Sequence, residues 1–474
     1  MNEDRPIVEP HVSDADAFTF RMERDPLLRS TIVAVAVLDR SPDWEHLLRR
    51  TDRATRLVPS FRAKLAESPF RLASPRWVLD PDFDLLWHMR RLRVPSGGAM
   101  AAVLEFARTT GMTAFDPERP MWELTLLEGL PDGRAAVVIK VHHALTDGIG
   151  GIQVITHVVD LSRDPVEMEM PPPPRRGSHG VIPDLTEALA HDARGLTAAG
   201  RAVIGSLPGA LMTVATDPAR AVTDLLSTTS SLARFVRPVS STRSQIMRDR
   251  RLQWHYDVLD VGLEPLKAAA ARVDGSVNDA FVAAVAGGVR RYHDQHGSMV
   301  SQLRMSMPIS LRTDDDPEGG NRITLVRFDV PVGRADPLQR IREVGAACRA
   351  QRDEPSLAYS NQVAAVLNLL PAATVGGMLK HVDLVVSNVP GIPVEVYVSG
   401  AKVEALYPFG PTTGTAANVT LMSYGGTCHI GVNTDAGAVP DPDLFHACLE
   451  ESFAEMVGVG ERSSKTRSRR STGS

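Results

Sequence analysis

The sequence predicts an α/β protein of two halves, which a helical connecting segment joins. Strand-like and helix-like stretches alternate on both sides of the middle of the chain, as in mixed α/β layers. Between them, residues 171–245 begin with four consecutive prolines and continue with apolar residues at helical spacing. This pattern indicates a stiff linker followed by helices. The 474 residues are enough for two sizeable cores.

These composition changes divide the chain into an N-terminal lobe (1–170), a linker (171–245), a C-terminal lobe (246–460) and a tail (461–474). The tail, ERSSKTRSRRSTGS, contains no apolar residue, so we expect it to be disordered. The linker helices either pack on the body of the protein or present an amphipathic surface to a membrane.

Apolar, β-branched runs predict strands in both lobes. They are Ser30–Val37, Ala135–Val141, Leu303–Met307, Ile323–Val330, Leu384–Val386 and Asn418–Met422. Apolar residues at a period near 3.6 predict helices. These are Asn278–Tyr292, Pro337–Gln351, Asp441–Val457 and a shorter one that starts near residue 149.

Composition and charge exclude several classes of protein. The net charge of −5 gives no reason to expect nucleic-acid binding. The three cysteines, Cys348, Cys428 and Cys448, have no CxxC spacing. They argue against a disulfide framework or structural zinc and favour a reducing compartment.

No membrane-spanning or secretory segment is predicted. The N-terminal MNEDRPIVEP is acidic and lacks the apolar core of a signal peptide. The longest apolar stretches, such as Ala280–Val289, are too short to cross a bilayer. We therefore expect a cytoplasmic protein that is soluble or peripherally attached.

The most informative stretch is VVIKVHHALTDGIG, residues 137–150. A predicted strand ends at His142 and His143, and a helical pattern follows. Because neighbouring side chains on a strand point to opposite sides, only one of the two histidines can face a given cleft. Asp147 can fold back to hold the loop, and Gly148 permits a close approach that a Cβ would block.

Three interpretations of this motif remain open from the residues alone. The histidines could be a structural pair beside a turn. They could bind a metal ion together with the aspartate, although neighbouring histidines diverge and no other ligand cluster has suitable spacing. A neutral imidazole could also act as a general base that takes a proton from a hydroxyl or thiol.

HHxxxDG resembles the active-site motif of the CoA-dependent acyltransferase superfamily. The longer run RPMWELTLLEGLPDGRAAVVIKVHHALTDG (119–148) is similar to bacterial wax ester synthase/diacylglycerol acyltransferases throughout. Further similar segments extend the resemblance from about residue 13 to 457. They are Ser13–Phe18, Gly275–Asp279, Met307–Arg312 with Gly320-Asn321, Val386–Gly391, Leu406–Pro411 and Asn418–Gly426.

The resemblance implies two chloramphenicol-acetyltransferase-like lobes with a tunnel between them. It implies that His143 is the general base and that Asp147 and Gly148 support the loop. His142 would shape the site. On the same pattern Arg312, from the other lobe, is a candidate cationic partner for Asp147.

Other residues that match family motifs have two interpretations each. Asn278 and Asp279 could position a group at the reacting centre or cap the helix that follows. Pro120 and Trp122, in a PLW-like motif with Met121 in place of leucine, are expected to support the loop by packing. Asn388 lies in SNVPG, which could contact substrate or form a plain turn.

The implied reaction is transfer of a long-chain acyl group from acyl-CoA to diacylglycerol, to a long-chain alcohol, or to both. No cofactor or metal is expected, since acyl-CoA is a substrate. Two segments, Arg21–Ser30 and Pro238–Trp254, depart from the family pattern and leave the acceptor open. The alternatives are a carrier-protein-dependent, condensation-type acyltransferase and a non-catalytic lipid-binding protein on the same scaffold.

Hydrophobic substrates imply peripheral contact with a membrane or lipid inclusion. The basic tail could lie on anionic lipid, or it could be merely solvated. Acyl chain length, oligomeric state and physiological role do not follow from the sequence.

Overall fold

The computed structural model describes residues 12–67, 75–95, 100–174, 241–310, 323–352 and 380–471. Most of the predicted linker and Arg312 lie outside these ranges.

The described strands are β1 (Thr31–Leu38), β2 (Ala63–Ala66), β3 (Arg76–Leu79), β4 (Met89–Arg93), β5 (Trp122–Glu128), β6 (Ala135–His142), β7 (Trp254–Gly262), β8 (Gln302–Ser310), β9 (Ile323–Pro331), β10 (Leu384–Val389), β11 (Tyr397–Val398), β12 (Ala401–Phe409), β13 (Ala417–Tyr424) and β14 (Thr427–Asp435). The described α-helices are α1 (Asp14–Met22), α2 (Trp44–Leu57), α3 (Leu85–His88), α4 (Met100–Met112), α5 (Gly148–Thr156), α6 (Leu263–Ala271), α7 (Val277–Gln295), α8 (Pro337–Arg352) and α9 (Pro442–Ser471). Each strand and helix predicted from the sequence that falls in these ranges is present, with ends that mostly shift by a few residues.

Each lobe is organised around a six-stranded sheet. The N-terminal sheet has the order β11-β12-β1-β6-β5-β4, and the C-terminal sheet has the order β7-β14-β13-β10-β8-β9. In the first sheet β1 pairs antiparallel with both β6 and β12. In the second, β10 pairs parallel with both β8 and β13. The prediction of an α/β fold with two lobes is confirmed.

The N-terminal sheet also contains strands from the C-terminal half of the chain, and the predicted division at residues 171–245 stays a prediction. Strand β12 comes from the C-terminal half but pairs with β1 of the N-terminal sheet, with Val33 opposite Phe409. Gly431 of β14 allows the two sheets to approach where β12 crosses, because a Cβ there would lie 1.9 Å from the carbonyl oxygen of Pro408. A strand exchanged in this way fixes the position of one lobe against the other.

The C-terminal core is built around α7. Residues 279–289 of this helix are all buried, which is the pattern of a helix that is covered on every side. Ser276 caps its N-terminus, and α9 packs against it where Gly288 leaves room for Leu449.

The last helix differs from the sequence prediction. Helix α9 continues to Ser471 and therefore runs through most of the segment expected to be a disordered tail. Lysine and arginine have high helix propensity, so a basic segment without apolar residues can extend an existing helix.

Candidate active site

The HHALTDG loop (His142–Gly148) is anchored by the two strands that flank β6. The backbone N–H of His142 donates to the carbonyl of Met121, 3.0 Å away, just before β5. The backbone N–H of His143 donates to the carbonyl of Ser30, 2.9 Å away, just before β1. The position of His143 is thus determined by the sheet rather than by a free loop.

Asp147 organises the second half of the loop. It is the N-cap of α5, and its Oδ1 accepts a hydrogen bond from the N–H of Gly150 at 2.7 Å. This cap satisfies one of the unpaired donors at the helix start. Asp147 is only 1% exposed, so its carboxylate is held inside the protein within a few residues of His143.

A cavity of about 750 Å³ lies between the two sheets. The alternation along β6 places Val137, Ile139, Val141 and His143 on its wall. The wall is mostly apolar and also carries polar side chains from both lobes, which is the usual character of a small-molecule site. Trp122, Asp147, Gly148 and Asn388 also line this cavity.

The surroundings of the His143 imidazole favour its neutral form. The residue is half-buried and lines the cavity. Burial lowers the pKa of His143, while the negative charge of Asp147 and the backbone carbonyl of His143 itself offset part of that effect. Its Nδ1 has no hydrogen bond with any other residue that the structure describes. A neutral ring of this kind can accept a proton from a ligand in the cavity.

His142 lies on the other face of the sheet and is fully buried. Its Nδ1 accepts a hydrogen bond from the N–H of Ala144 at 3.1 Å. The rings of Phe20 and Phe115 contact it edge-on, with centroids 6.3 and 6.0 Å away. This residue supports the turn and does not reach the cavity.

Trp122 supports the wall through packing. Its ring stacks on His88 with centroids 4.6 Å apart, and its indole N–H donates to the carbonyl of Phe61 at 2.7 Å. Pro120 is buried, and its carbonyl accepts from the N–H of Trp122 at 2.9 Å. Both positions agree with the packing role expected from the sequence.

The second motif is not brought to the cavity wall. Asp279 and Ser276 form a capping box at the start of α7, and Arg349 lies 3.4 Å from the carboxylate of Asp279. The amide nitrogen of Asn278 is directed at the sulfur of Met307, 4.0 Å away. Of the two interpretations of this motif, the geometry favours helix capping.

The C-terminal lobe supplies a polar wall opposite His143. Asn388 at the end of β10 is exposed to the cavity, and Asn418 and Thr420 of β13 line it too. Thr420 donates to Asn418 at 2.7 Å, and Asn418 donates to the carbonyl of Pro411 at 2.8 Å. In the sequence, the pattern that could have indicated Asn418 and Thr420 is the alternation of polar residues within the otherwise apolar run NVTLMSY.

Two supporting residues were missed by the sequence analysis. Ser30 accepts from His143, and the N–H of Ser30 in turn donates to Glu23 at 3.1 Å. No local pattern indicates these two residues, because the hydrogen bond between Ser30 and His143 joins segments more than a hundred residues apart.

Two further features of the described ranges concern metal binding and membrane insertion. No group of three or more His, Cys, Asp or Glu residues there could bind a metal ion. No helix in those ranges is long and apolar enough to span a bilayer. The predicted pairing of Arg312 with Asp147 stays a prediction, since Arg312 is outside them.

Residues 12–281 match the family described as the wax ester synthase/diacylglycerol acyltransferase catalytic domain, and residues 319–457 match its C-terminal domain. The chain belongs to this family. A Mycobacterium tuberculosis protein named diacylglycerol O-acyltransferase is 36% identical over 463 residues, which cover 96% of this chain and 93% of the relative. A second M. tuberculosis protein of that name is 26% identical over 474 residues, which cover 97% of this chain and 98% of that relative. The prediction of an acyltransferase is confirmed.

One solved wax ester synthase/diacylglycerol acyltransferase and one solved condensation domain share the fold. The enzyme of that name from Marinobacter aquaeolei VT8 superposes with a TM-score of 0.62 at 21% identity, covering 95% of this chain and 100% of that one. The starter condensation domain of rhizomide synthetase, solved with C8-CoA and Leu-SNAC, has the same TM-score at 13% identity, covering 95% and 94%. At such identities the similarity establishes the two-lobed fold alone.

Proposed function

We propose that this protein transfers a long-chain acyl group from acyl-CoA to the hydroxyl of diacylglycerol or of a long-chain alcohol, with His143 as general base. The observation that carries the proposal is the placement of the His143 imidazole on the wall of a large, mostly apolar cavity that residues of both lobes line; desolvation lowers the pKa of this imidazole. Family membership supports the reaction class.

The proposed reaction needs two proton transfers, and His143 can perform both. Its imidazole takes the proton from the acceptor hydroxyl while the oxygen attacks the thioester carbonyl. The tetrahedral intermediate then expels the CoA thiolate, which receives that proton from the imidazolium. The products are an ester and free CoA, so atoms and charges balance without a cofactor.

The surroundings of His143 suit this sequence of steps. Burial keeps the imidazole neutral and ready to accept a proton, and Asp147 stabilises the imidazolium when it forms. The apolar wall would bind the hydrocarbon parts of both substrates, while Asn388 offers an amide at the cavity surface.

We also propose peripheral contact with a membrane or lipid inclusion, because both acceptors partition into lipid. The basic sequence of residues 461–474 supports electrostatic contact with anionic lipid. Sedimentation with vesicles that contain phosphatidylglycerol, compared with vesicles of phosphatidylcholine alone, tests this. Unchanged sedimentation after deletion of 461–474 would exclude the tail as the contact.

The reaction is tested with purified protein, labelled long-chain acyl-CoA and either diacylglycerol or a long-chain alcohol, followed by separation of neutral lipids. We expect triacylglycerol, wax ester or both from the wild type. His143→Ala should lower the rate about 10²- to 10⁴-fold, as for other general bases. His255→Ala is the matched control, because His255 is 39% exposed at its side chain and does not line the cavity.

Other outcomes identify the alternatives. Ester formation that requires an acyl-loaded carrier protein would establish a condensation-type acyltransferase. Lipid binding without turnover, unaffected by His143→Ala, would indicate a non-catalytic lipid-binding protein.

A further inference from the structure

Glu23 lies directly behind the HHALTDG loop, on the side of the sheet away from the cavity. It follows α1 as its C-terminal cap, and its side chain is 14% exposed. One carboxylate oxygen, Oε2, accepts a hydrogen bond from the N–H of Ser30 at 3.1 Å and lies 3.4 Å from Nε2 of His142. The other oxygen lies 3.7 Å from the guanidinium of Arg29.

Two of these neighbours of Glu23, Ser30 and His142, determine where His143 lies. The carbonyl of Ser30 accepts the hydrogen bond from the backbone N–H of His143 at 2.9 Å. His142 precedes His143 in the chain, and its ring accepts the N–H of Ala144, the residue after His143. One carboxylate therefore contacts the residues that hold the main chain of His143 from both sides.

The same geometry determines the tautomer of His142. A ring nitrogen that accepts a hydrogen bond must carry the lone pair, so Nδ1 is unprotonated in the neutral ring and the proton is on Nε2. That N–H faces the carboxylate of Glu23. If the proton moved to Nδ1, the bond to Ala144 would be lost.

Apolar rings lie against the His142 side of this contact. Phe20 of α1 and Phe115 lie at the edges of the His142 ring. The nearby cation Lys140 is fully buried, lies over the Phe115 ring at 4.1 Å and is 3.4 Å from Glu123. Glu23 does not line the cavity, so it can act on the reaction only through other residues.

We propose that Glu23 is a positioning residue for His143, acting through its contacts with Ser30 and His142. This inference rests on the proposed function of His143 and goes beyond it by naming the group that holds the base in place. The reach of the side chain matters most, since the bond to the N–H of Ser30 depends on an oxygen at the end of a glutamate-length chain.

The test compares Glu23→Gln, Glu23→Asp and Glu23→Ala in the full-length protein. Glutamine keeps the reach and an acceptor oxygen but loses the charge, whereas aspartate keeps the charge and loses the reach. Glu45→Gln is the matched control, because Glu45 is exposed in the first turn of α2. For each variant, kcat and KM, the melting temperature and backbone amide exchange of peptides covering residues 141–151 are measured.

We expect Glu23→Gln to keep most of kcat. Glu23→Asp and Glu23→Ala should lose roughly tenfold or more in kcat, the size expected for loss of a hydrogen bond to a charged group, with KM for acyl-CoA little changed. Amide exchange around His143 should be faster in these two variants and unchanged in Glu45→Gln.

Several outcomes would overturn the inference. They are aspartate retaining more activity than glutamine, a change confined to KM, unaltered amide exchange, or a lower melting temperature with normal kcat per folded molecule. If the wild type forms no ester, the proposed function fails, while amide exchange still decides whether Glu23 holds the loop. If Glu23→Ala does not fold, the comparison of glutamine with aspartate carries the test.

Discussion

Gly148 lies directly against Val389. A Cβ added at Gly148 would lie 3.0 Å from each of the two γ-carbons of Val389. Gly148 begins α5 in the N-terminal lobe, and Val389 ends β10 in the C-terminal lobe, so this contact joins the lobes beside His143. The backbone of Gly148 does not have a positive φ. The close approach of the lobes, rather than backbone freedom, therefore favours a glycine at this position of the HHALTDG loop.

The first prediction concerns this contact. Gly148→Ala should lower kcat severalfold, because the added methyl group separates α5 from β10, and overpacking of this kind costs about 1–3 kcal/mol. The double variant Gly148→Ala/Val389→Ala should recover part of the loss, since alanine removes both γ-carbons. Steady-state kinetics of the two single variants and the double variant check this. Additive losses would contradict the steric explanation.

The second prediction concerns pH. Burial lowers the pKa of His143. The pKa that governs the acid limb of the kcat/KM profile should therefore be below 6.5, the ordinary value for histidine. The measurement is kcat/KM across the acidic range at constant ionic strength. An acid limb at or above the ordinary value would contradict a buried, neutral base.

The same lowered pKa of His143 makes the free energy of unfolding depend on pH, and it determines the direction of that dependence. Below about pH 6.5 the unfolded chain binds a proton at His143 that the folded protein does not bind. The contribution of His143 to the free energy of unfolding should therefore fall as pH drops through that value, and it should level off below the folded pKa. Urea unfolding of wild type and His143→Gln at several pH values isolates this contribution.

The third prediction separates two properties of Asp147. Asp147→Asn keeps an oxygen that can cap α5, so the free energy of unfolding should change little. It removes a negative charge that raises the pKa of His143, so the acid limb should move to lower pH. Asp147→Ala also removes the cap and should cost about 1 kcal/mol of stability.

Urea unfolding and pH–rate profiles of both variants check this prediction. Equal destabilisation by asparagine and alanine would show that the charge, rather than the cap, stabilises the loop.

Local patterns in the sequence predicted the site best where chemistry and local structure coincide. The end of β6, the start of the following helix and the divergence of the two histidines follow from alternation and spacing within fourteen residues, whereas the choice of His143 came from the family resemblance. The capping residue of α7 was less well predicted, since Ser276 and Asp279, not Asn278, form the box.

The unpredicted parts depend on contacts between distant segments. Strand β12 joins β1 although more than 360 residues separate them in the chain, and no local period encodes such a pairing. Glu23 is a similar case, since its role comes from the packing of α1 behind β6. The helix after residue 461 was not predicted, because a basic segment without apolar residues is typical of disorder in composition, whereas here it extends an existing helix.

The last prediction concerns the apolar arm of the cavity between β1 and α2. This part of the cavity wall consists of Ala34 and Ala36 on β1 and of Leu47, Thr51 and Ala54 on α2. Ala36 is six residues beyond Ser30, which places it about 20 Å along the strand from the backbone contact with His143. Small side chains at that distance leave room for the far end of a long hydrocarbon chain.

Ala36→Phe should therefore lower kcat/KM for a long-chain substrate while leaving the short-chain homologue little affected. We expect this selective loss of kcat/KM for long chains with only one of the two substrates, because a single arm holds a single chain. Two assay series check this, one varying the acyl-CoA at fixed acceptor and one varying the alcohol at fixed acyl-CoA. The series that loses its long-chain members identifies the chain that occupies the arm. Equal loss at all chain lengths in both series would show that the arm holds neither chain and that the substitution disturbs the sheet instead.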